Sequence, residues 1–588
     1  MAAVEQLITE NLDVWSSVIK KRGSQGRGSS KKIELYGIKK LRTLILELAI
    51  RGLIVPQNTD DEPASKLLVQ IAAEREQLVR DKKFKKQKEL PSIEESEKPF
   101  NLPEGWEWTR LGNISEIGPR NILEDDVDVS FVPMPLVTTS YKGDHGQEVR
   151  KWNEIKKGYT HFADGDIALA KITPCFENSK ASVFSNLKGG FGAGTTELHV
   201  ARPIAGTLDP LFVLLYLKAP MFLAVGKTKM TGSAGQKRVP KDFFAGNPLP
   251  FPPLIEQHRI VAKVDELMAL CDQLEQQQEN SISAHQTLVE TLLSALTNAG
   301  EKGEFNQAWA RIAEHFDTLF TTEHSIDQLK QTILQLAVMG KLVPQNPNDE
   351  LARVLLEKIA AEKDRLVKDK EIKKQKPLPP IEEDEKPFEL PKGWTWAQCA
   401  DTANPKTIIT YGILKPVWVE NGVSTVRIKD MKGGQIVLDD IVQCSAERAE
   451  KFTKTTLVEN DLLIAKDGAT LGKTAFVPPE LAGGNVTQHV LRFSISDELC
   501  RGFVRLIIDS PIGQGWMSGE TKGVALPGVN VGDFRRMPMA LPPLNEQTKI
   551  IKKVDELMAI CDDLIVHINN SRTTQLHLAD AMAEKALS

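Results

Sequence analysis

The sequence predicts a mixed α/β (α+β) fold in which long antiparallel paired helices, a coiled coil, separate two globular domains related by an internal pseudo-twofold duplication. Repetition is the first observation. Ile38–Trp108 aligns with Ile326–Trp396 at a constant shift of 288, with 42 identities in 71 positions. Pro252–Ala269 and Pro542–Ala559 repeat at a shift of 290, each opening on Pro-Pro-Leu-x-Glu-Gln. Divergence between these blocks is the second. The centres keep only landmarks: Asp166 with Asp461, Ala170-Lys171 with Ala465-Lys466, Phe212-Val213 with Phe503-Val504, Pro220 with Pro511, Gly232 with Gly523, and Asp242-Phe243 with Asp533-Phe534. A kept frame around altered interiors argues for two specificities on one scaffold.

Taken in order, Ala64–Lys88 and Ala352–Lys376 read as helices with one apolar face and basic C-terminal ends, which suit the helix dipole. Acidic, proline-bearing linkers follow at Leu90–Pro99 and Leu378–Pro387 and mark module boundaries. Each centre combines short apolar strands, at Asp166–Ala170 and Asp461–Ala465, with one helix, near Leu211–Leu217 and Phe503–Ile508. The third observation is a 4,3 alternation through Ile260, Val264, Leu267, Cys271 and Leu274, then polar Gln278, Ser281 and His285, to Leu288 and Leu292. Ile550 through Leu578 and Met582 repeats it, so two helices of about 40 residues, roughly 60 Å each, are predicted. The alternative is that each is an amphipathic surface helix of its own domain. The resulting division is a helical region 1–108, a first central domain 109–253, a frame with a long helix 254–396, a second central domain 397–543, and a closing helix 544–588. Asn11–Lys32 reads as a flexible connector, and Thr297–Ser325 as the matching linker.

With 74 basic against 79 acidic residues, the formal charge of -5 excludes a uniformly basic nucleic-acid binder, and any such contact must come from local patches. Six cysteines, far apart and without a C-x-x-C pair, predict reduced thiols and a cytoplasmic setting. The most apolar window, Pro210–Val225, is short for a membrane span and holds Lys218 and Pro220.

Catalytic signatures fail on spacing. Gly468-Ala-Thr-Leu-Gly472-Lys473-Thr474 has three residues between its glycines where a phosphate loop needs four. Gly190–Gly194 has a glycine-turn spacing, but Arg202-Pro203 follows too soon for a dinucleotide-binding helix. No methyltransferase tetrad and no metal-ligand spacing among the ten histidines is found, so no catalytic or metal residue is expected. Recognition is the remaining reading. Lys227–Lys241 holds five basic residues and no acid, and its Gly and Ser content predicts a loop. There Lys227, Lys229, Lys237 and Arg238 suit phosphates, while Thr231, Ser233, Gln236 and Arg238 carry the donors and acceptors that base edges require. The second centre offers Lys522, Asn530, Arg535 and Arg536 in the corresponding stretch, and Thr487-Gln488-His489 earlier. Lys171 and Lys466, identical at equivalent strand ends, are expected to hold phosphate or structure rather than to discriminate bases. The bland alternative for each is a solvated surface side chain.

The paired Phe/Leu-Pro-Pro-Leu-x-Glu-Gln blocks, at Phe251–Gln257 and Leu541–Gln547, carry a resemblance together with the long helices after them. So do the strands Asp166–Lys171 and Asp461–Lys466 and the Leu-Ala-x-x-Gly…Val-Pro-Gln elements ending at Gln57 and Gln345. Together they resemble the specificity subunit (HsdS) of type I restriction-modification systems, in the subgroup with an extended N-terminal region, over nearly the whole chain. That resemblance implies a non-catalytic subunit of a bacterial defence complex, with two target recognition domains that each read half of a bipartite, asymmetric double-stranded DNA site. It implies helices that set the gap and dock two modification (adenine-N6 methyltransferase) subunits, which two restriction subunits join. No cofactor is expected on this chain; S-adenosylmethionine, ATP and Mg are implied for the partners. The near balance of 17 basic and 14 acidic residues in Thr109–Pro253, and 16 of each in Ala397–Pro543, implies that partners share in neutralising phosphate. Two other readings stay open: a self-sufficient ATPase or methyltransferase, and a coiled-coil adaptor without DNA readout.

Overall fold

The computed structural model describes residues 8–21, 33–233, 235–519 and 528–587. Two compact units are present, one formed by 1–282 with 571–588 and the other by 283–570. Each long helix, Leu254–Asn298 (45 residues) and Leu544–Leu587 (44 residues), therefore contributes to both units. In the first unit Ile260, Val264, Leu267 and Cys271 pack with Ile38, Leu41, Ile45 and Leu48 and with Ala579, Ala583 and Ala586. The other unit packs Val289, Leu293 and Leu296 with Ile326, Leu329 and Ile333 and with Ile550, Val554 and Cys561. Within each unit the early part of one helix and the late part of the other thus share one hydrophobic core, as the expected antiparallel pairing requires. The seam is corrected in detail. Leu288 and Leu578, which a 3.5-residue repeat places inside, are 51% and 46% exposed, and burial falls one residue later, on Val289 and Ala579. A 3.6-residue repeat puts it there, since 18 residues make five straight turns.

The repeated frame blocks are explained by one clamp. Gln257, fully buried, donates to the Pro252 carbonyl and accepts the Asp209 amide, both at 2.9 Å. Gln547 does the same with Pro542 and Cys500 at 2.9 Å. Beside it, Glu256 accepts from Gln57 at 2.8 Å and Glu546 from Gln345 at 3.2 Å, and burial pushes both carboxyls above their usual range. The Val-Pro-Gln and Pro-Pro-Leu-x-Glu-Gln blocks are the two halves of this contact. The glycine upstream is equally constrained: Gly52 and Gly340 have φ of 71° and 69°, and a Cβ on either meets a proline ring atom at 2.6 Å.

The helices after these glycines end earlier than their apolar pattern indicates, at Arg80 and Lys368 rather than Lys88 and Lys376. Lys82 and Lys370 adopt left-handed φ of 56° and 61°, so the amides that follow fold back onto Leu78 and Leu366 as αL caps. The lysine runs beyond are therefore off the helix. Thr297–Ser325 contains a helix, Lys302–Glu314, whose N-terminus is closed by a Glu301–Glu304 capping box.

Each central domain leaves the frame and returns to it side by side. Glu107–Arg110 pairs antiparallel with Pro248–Phe251, and Thr395–Gln398 with Pro538–Leu541. Among the described residues, two four-stranded sheets lie inside each domain. The first has the same order in both: Ser115–Ile117, Leu198–Pro203, Ile167–Ala170, Ala181–Val183, and correspondingly Thr410–Tyr411, Val490–Phe493, Leu462–Ala465, Thr474–Phe476. The second sheets differ in order but share a parallel pair, Asp128–Val132 with Phe191–Gly194 at the centre of one and Val423–Val426 with Asn485–Val486 at the edge of the other. Asp166 and Asp461, at the starts of the equivalent strands, pair with Arg202 (2.8 Å) and Arg492 (2.6 Å). Counted from the strand pairing, Arg492 stands opposite Leu463 and Val200 opposite Ala168, so Arg202 is two residues further along. Both arginines are on one face, because side chains alternate with period two.

The apolar window Pro210–Val225 resolves into two helices, Pro210–Lys218 and Pro220–Lys229, bent by 63°, and no single helix among the described residues is long and apolar enough to cross a membrane. A second helix in this place, Pro511–Gly519, was likewise not legible in the sequence.

Two outcomes follow. Replacing Gln547 by Leu leaves a carbonyl and an amide without their partner, so the 283–570 unit loses about 2 to 3 kcal/mol, read as faster amide exchange there with the first unit unchanged. Lys218 is 3% exposed, its ammonium donates to the Ser179 carbonyl at 2.8 Å, and burial brings its pKa down to about 7. Between that value and its unfolded pKa near 10.5 the unfolded chain holds the proton that the folded one lacks. Stability of the first unit therefore rises with pH, by about 2 kcal/mol from pH 7 to pH 9, and Lys218→Met flattens the rise in amide-exchange protection.

Candidate nucleic-acid interface

In the first central domain the strand Ile167–Ala170 is buried along its length and delivers Lys171 to its end. Backbone bonds gather three segments there. The Lys171 amide donates to Glu197 O at 2.9 Å, and its carbonyl accepts the Val239 amide at 2.8 Å. Thr173 N–H donates to Lys237 O at 3.0 Å. The basic stretch is not an open loop. Lys227 and Lys229 stand exposed in the last turn of a helix, and Thr231 and Arg238 then exchange backbone bonds of 3.0 and 2.8 Å, closing a small hairpin. Gly232 is required in it, since at φ 126° a Cβ lies 2.8 Å from Gln236 O. Thr231, Ser233, Gln236 and Lys237 are exposed on the hairpin.

The second domain builds the same junction from different side chains. Lys466 N–H donates to His489 O at 3.0 Å, and Lys466 O accepts the Val529 amide at 2.9 Å. Residues 171, 197 and 239 thus correspond to 466, 489 and 529. The shifts are 295, 292 and 290, so no ungapped alignment finds all three.

The side chains at the junction contrast. Arg238 donates through Nε and Nη2 to the two oxygens of Glu197, both at 2.9 Å, which holds that carboxyl below its usual range. In the second domain Asp467 takes Lys466 at 3.0 Å and His489 Nδ1 at 2.8 Å, while Gln488 lies 3.0 Å from His489 Nε2. The Lys466 ammonium sits 5.8 Å from the ring centroid of Tyr411, itself 38% exposed.

Several residues singled out in the sequence are committed elsewhere. Asn530 caps the helix Val531–Arg536 by accepting the Asp533 amide at 2.8 Å. Arg535 donates through Nε to Ile409 O at 2.9 Å, joining two segments of the domain, and Arg536 pairs with Glu385 at 2.6 Å, tying the domain to the linker before it. Thr487 is buried and its amide donates to Val426 O at 3.0 Å. Of the residues singled out in this domain, Gln488 and His489 among the described residues remain at the junction. Lys522 and the landmark Gly523 lie outside the described residues. Glu197, Asp467 and Tyr411 join the site with no sequence signal of their own. Each pairs with a residue far away in sequence or on another strand, a relation periodicity does not reveal.

No group of His, Cys, Asp or Glu among the described residues is arranged to hold a metal ion. The glycine run that looked like a cofactor turn is the strand Phe191–Gly194, where a Cβ on Gly192 or Gly194 meets the facing strand's carbonyl at 2.6 or 2.3 Å. Its glycines serve close strand packing. The phosphate-loop look-alike at Gly468–Thr470 is a single 3-10 turn.

The profile of the type I restriction modification DNA specificity domain matches residues 103–284 and 413–571. The chain is 49% identical over its whole length to the full-length "Type I restriction enzyme EcoAI specificity subunit" of Escherichia coli, and 48% identical, again with both chains fully covered, to the EcoEI specificity subunit of the same species. A solved HsdS subunit from Thermoanaerobacter tengcongensis aligns at TM-score 0.43 and 18% identity, covering 84% of this chain and 99% of that one. Two matched domains on a duplicated scaffold, and full-length likeness on both sides, place this chain in the type I restriction-modification DNA specificity family.

Proposed function

We propose that this chain is the DNA sequence-specificity subunit of a type I restriction-modification complex, each recognition domain reading one half of a bipartite, asymmetric double-stranded site. One observation carries it: the same strand-end junction recurs in both domains with the backbone kept and the outward side chains changed. The relatives' names, specificity subunits of type I restriction enzymes, support the reading. Lys227, Lys229, Lys237, Lys171 and Lys466 are assigned to phosphate. Thr231, Ser233, Gln236, Arg238 and Gln488 are assigned to base edges, and Lys522 to phosphate contact in the second domain.

The long helices act as the ruler between half-sites. One turn of DNA spans about 34 to 36 Å, and a helix of 45 residues runs to about 67 Å. They also dock two modification subunits, to which restriction subunits add. Chemistry belongs to those partners. Adenine must be flipped from the stack for N6 methylation, and S-adenosylmethionine, ATP and Mg are theirs. A cytoplasmic location goes with that role. An adaptor without DNA readout is the second reading, favoured only by the two long helices.

The test is to purify the chain with the methyltransferase subunit encoded beside it, supply S-adenosylmethionine, and map adenine methylation on genomic DNA by single-molecule sequencing. A bipartite motif with a fixed gap is the expected result. A stable complex that methylates without any motif would instead support the adaptor.

A further inference from the structure

We propose that Arg238 reads a guanine in the half-site of the first recognition domain and that Glu197 is its positioning residue. The inference rests on the DNA-reading assignment above and adds a base, a reader and the group that aims it.

Arginines in this domain divide sharply by what they touch. Arg110 is bonded to Pro91 O, Ser92 O and Glu97, and Arg202 to Asp166 and Asn121, so both are part of the scaffold. Arg120 lies against Tyr159 O and His161, and Arg150 pairs with Glu148 and covers the Phe131 ring, away from the strand-end junction. Arg238 belongs to the junction, at the foot of the exposed hairpin, with a side chain 43% exposed.

Its geometry leaves the right edge open. A guanidinium has five N–H groups in a planar fork. Nε and Nη2 face Glu197 at 2.9 Å each, which uses the side edge. Nη1 approaches Gln236 O at 3.2 Å with one of its two hydrogens. We take that hydrogen to be the one on the Cδ side, which leaves one N–H on each terminal nitrogen along the end edge. That pair of parallel donors matches the O6 and N7 acceptors of guanine in the major groove. The carboxylate fixes the plane of the fork before DNA arrives, so less side-chain entropy is lost on contact. Lys227, Lys229 and Lys237 stand beside it to meet phosphates, with no acid in the stretch 227–241.

The second domain carries no arginine at this place. Val529 corresponds to Val239, so Gly528 occupies the position of Arg238, and His489 that of Glu197. The guanine reader is therefore specific to one half-site.

Methylation maps of the purified complex, compared for the native chain, Arg238→Gln, Arg238→Lys and Glu197→Gln, test this directly. The native motif is expected to contain a G·C pair in one half-site whose discrimination Arg238→Gln lowers roughly tenfold to a hundredfold, the worth of one bidentate pair. Arg238→Lys is expected to lower it less, and Glu197→Gln to relax the same position, with the other half-site and complex assembly unchanged. A uniform loss of methylation at every site would make Arg238 a phosphate contact or scaffold residue and overturn the proposal. So would an unaltered motif. A native complex with no bipartite motif would instead overturn the DNA-reading assignment itself, and this inference with it.

Discussion

Gln257 and Gln547, each sealed from solvent, bind the last residues of a domain's returning strand to the loop before its apolar helix, through one donor and one acceptor apiece. A buried amide that satisfies two backbone groups costs far more to lose than it contributes when made. Neither partner is a side chain that a changing domain could remove. Beside the amides, Glu256 and Glu546 reach back to Gln57 and Gln345, joining the start of each long helix to the block that precedes the domain. The frame therefore closes on itself through these bonds, and it meets the enclosed first domain through a backbone amide and through Phe212 and Leu215, which join its core. Paired strands at each domain's base put departure and return next to each other, so the enclosed chain is free to change in length and content.

The same separation holds one level further in. Lys171 and Lys466 use their backbone groups to collect the segments that carry the side chains proposed to read bases. Backbone bonds do not depend on side-chain identity, and the two domains place Glu197 with Arg238 and Asp467 with His489 at one scaffold position. Beneath them, the Asp166–Arg202 and Asp461–Arg492 pairs survive although the arginines come from registers two residues apart. What is kept is the face of the sheet, not the position in the sequence.

Much of this was legible from residues alone. The duplication located both frames, and the shared Asp…Ala-Lys runs located the strand ends. What escaped was spatial. Glu197 and Arg238 are 41 residues apart, and no charge pattern along the chain pairs them. Asn530, Arg535 and Arg536 look like ideal base readers by type, yet a helix cap, a carbonyl and Glu385 claim them. The lysine runs after Arg80 and Lys368 continue a helical composition, but a left-handed cap residue breaks the helix. The heptad seam misplaced Leu288 and Leu578 because a straight helix drifts from a 3.5-residue repeat within a few turns.

The central claim is that the frame and its contents are independent. Exchange of Thr109–Phe251 for the corresponding segment of a relative with another specificity, followed by methylation mapping of the assembled complex, tests it most directly. The account predicts one altered half-site, with the other half-site and the gap retained. A change in both half-sites, or in the gap between them, would contradict it.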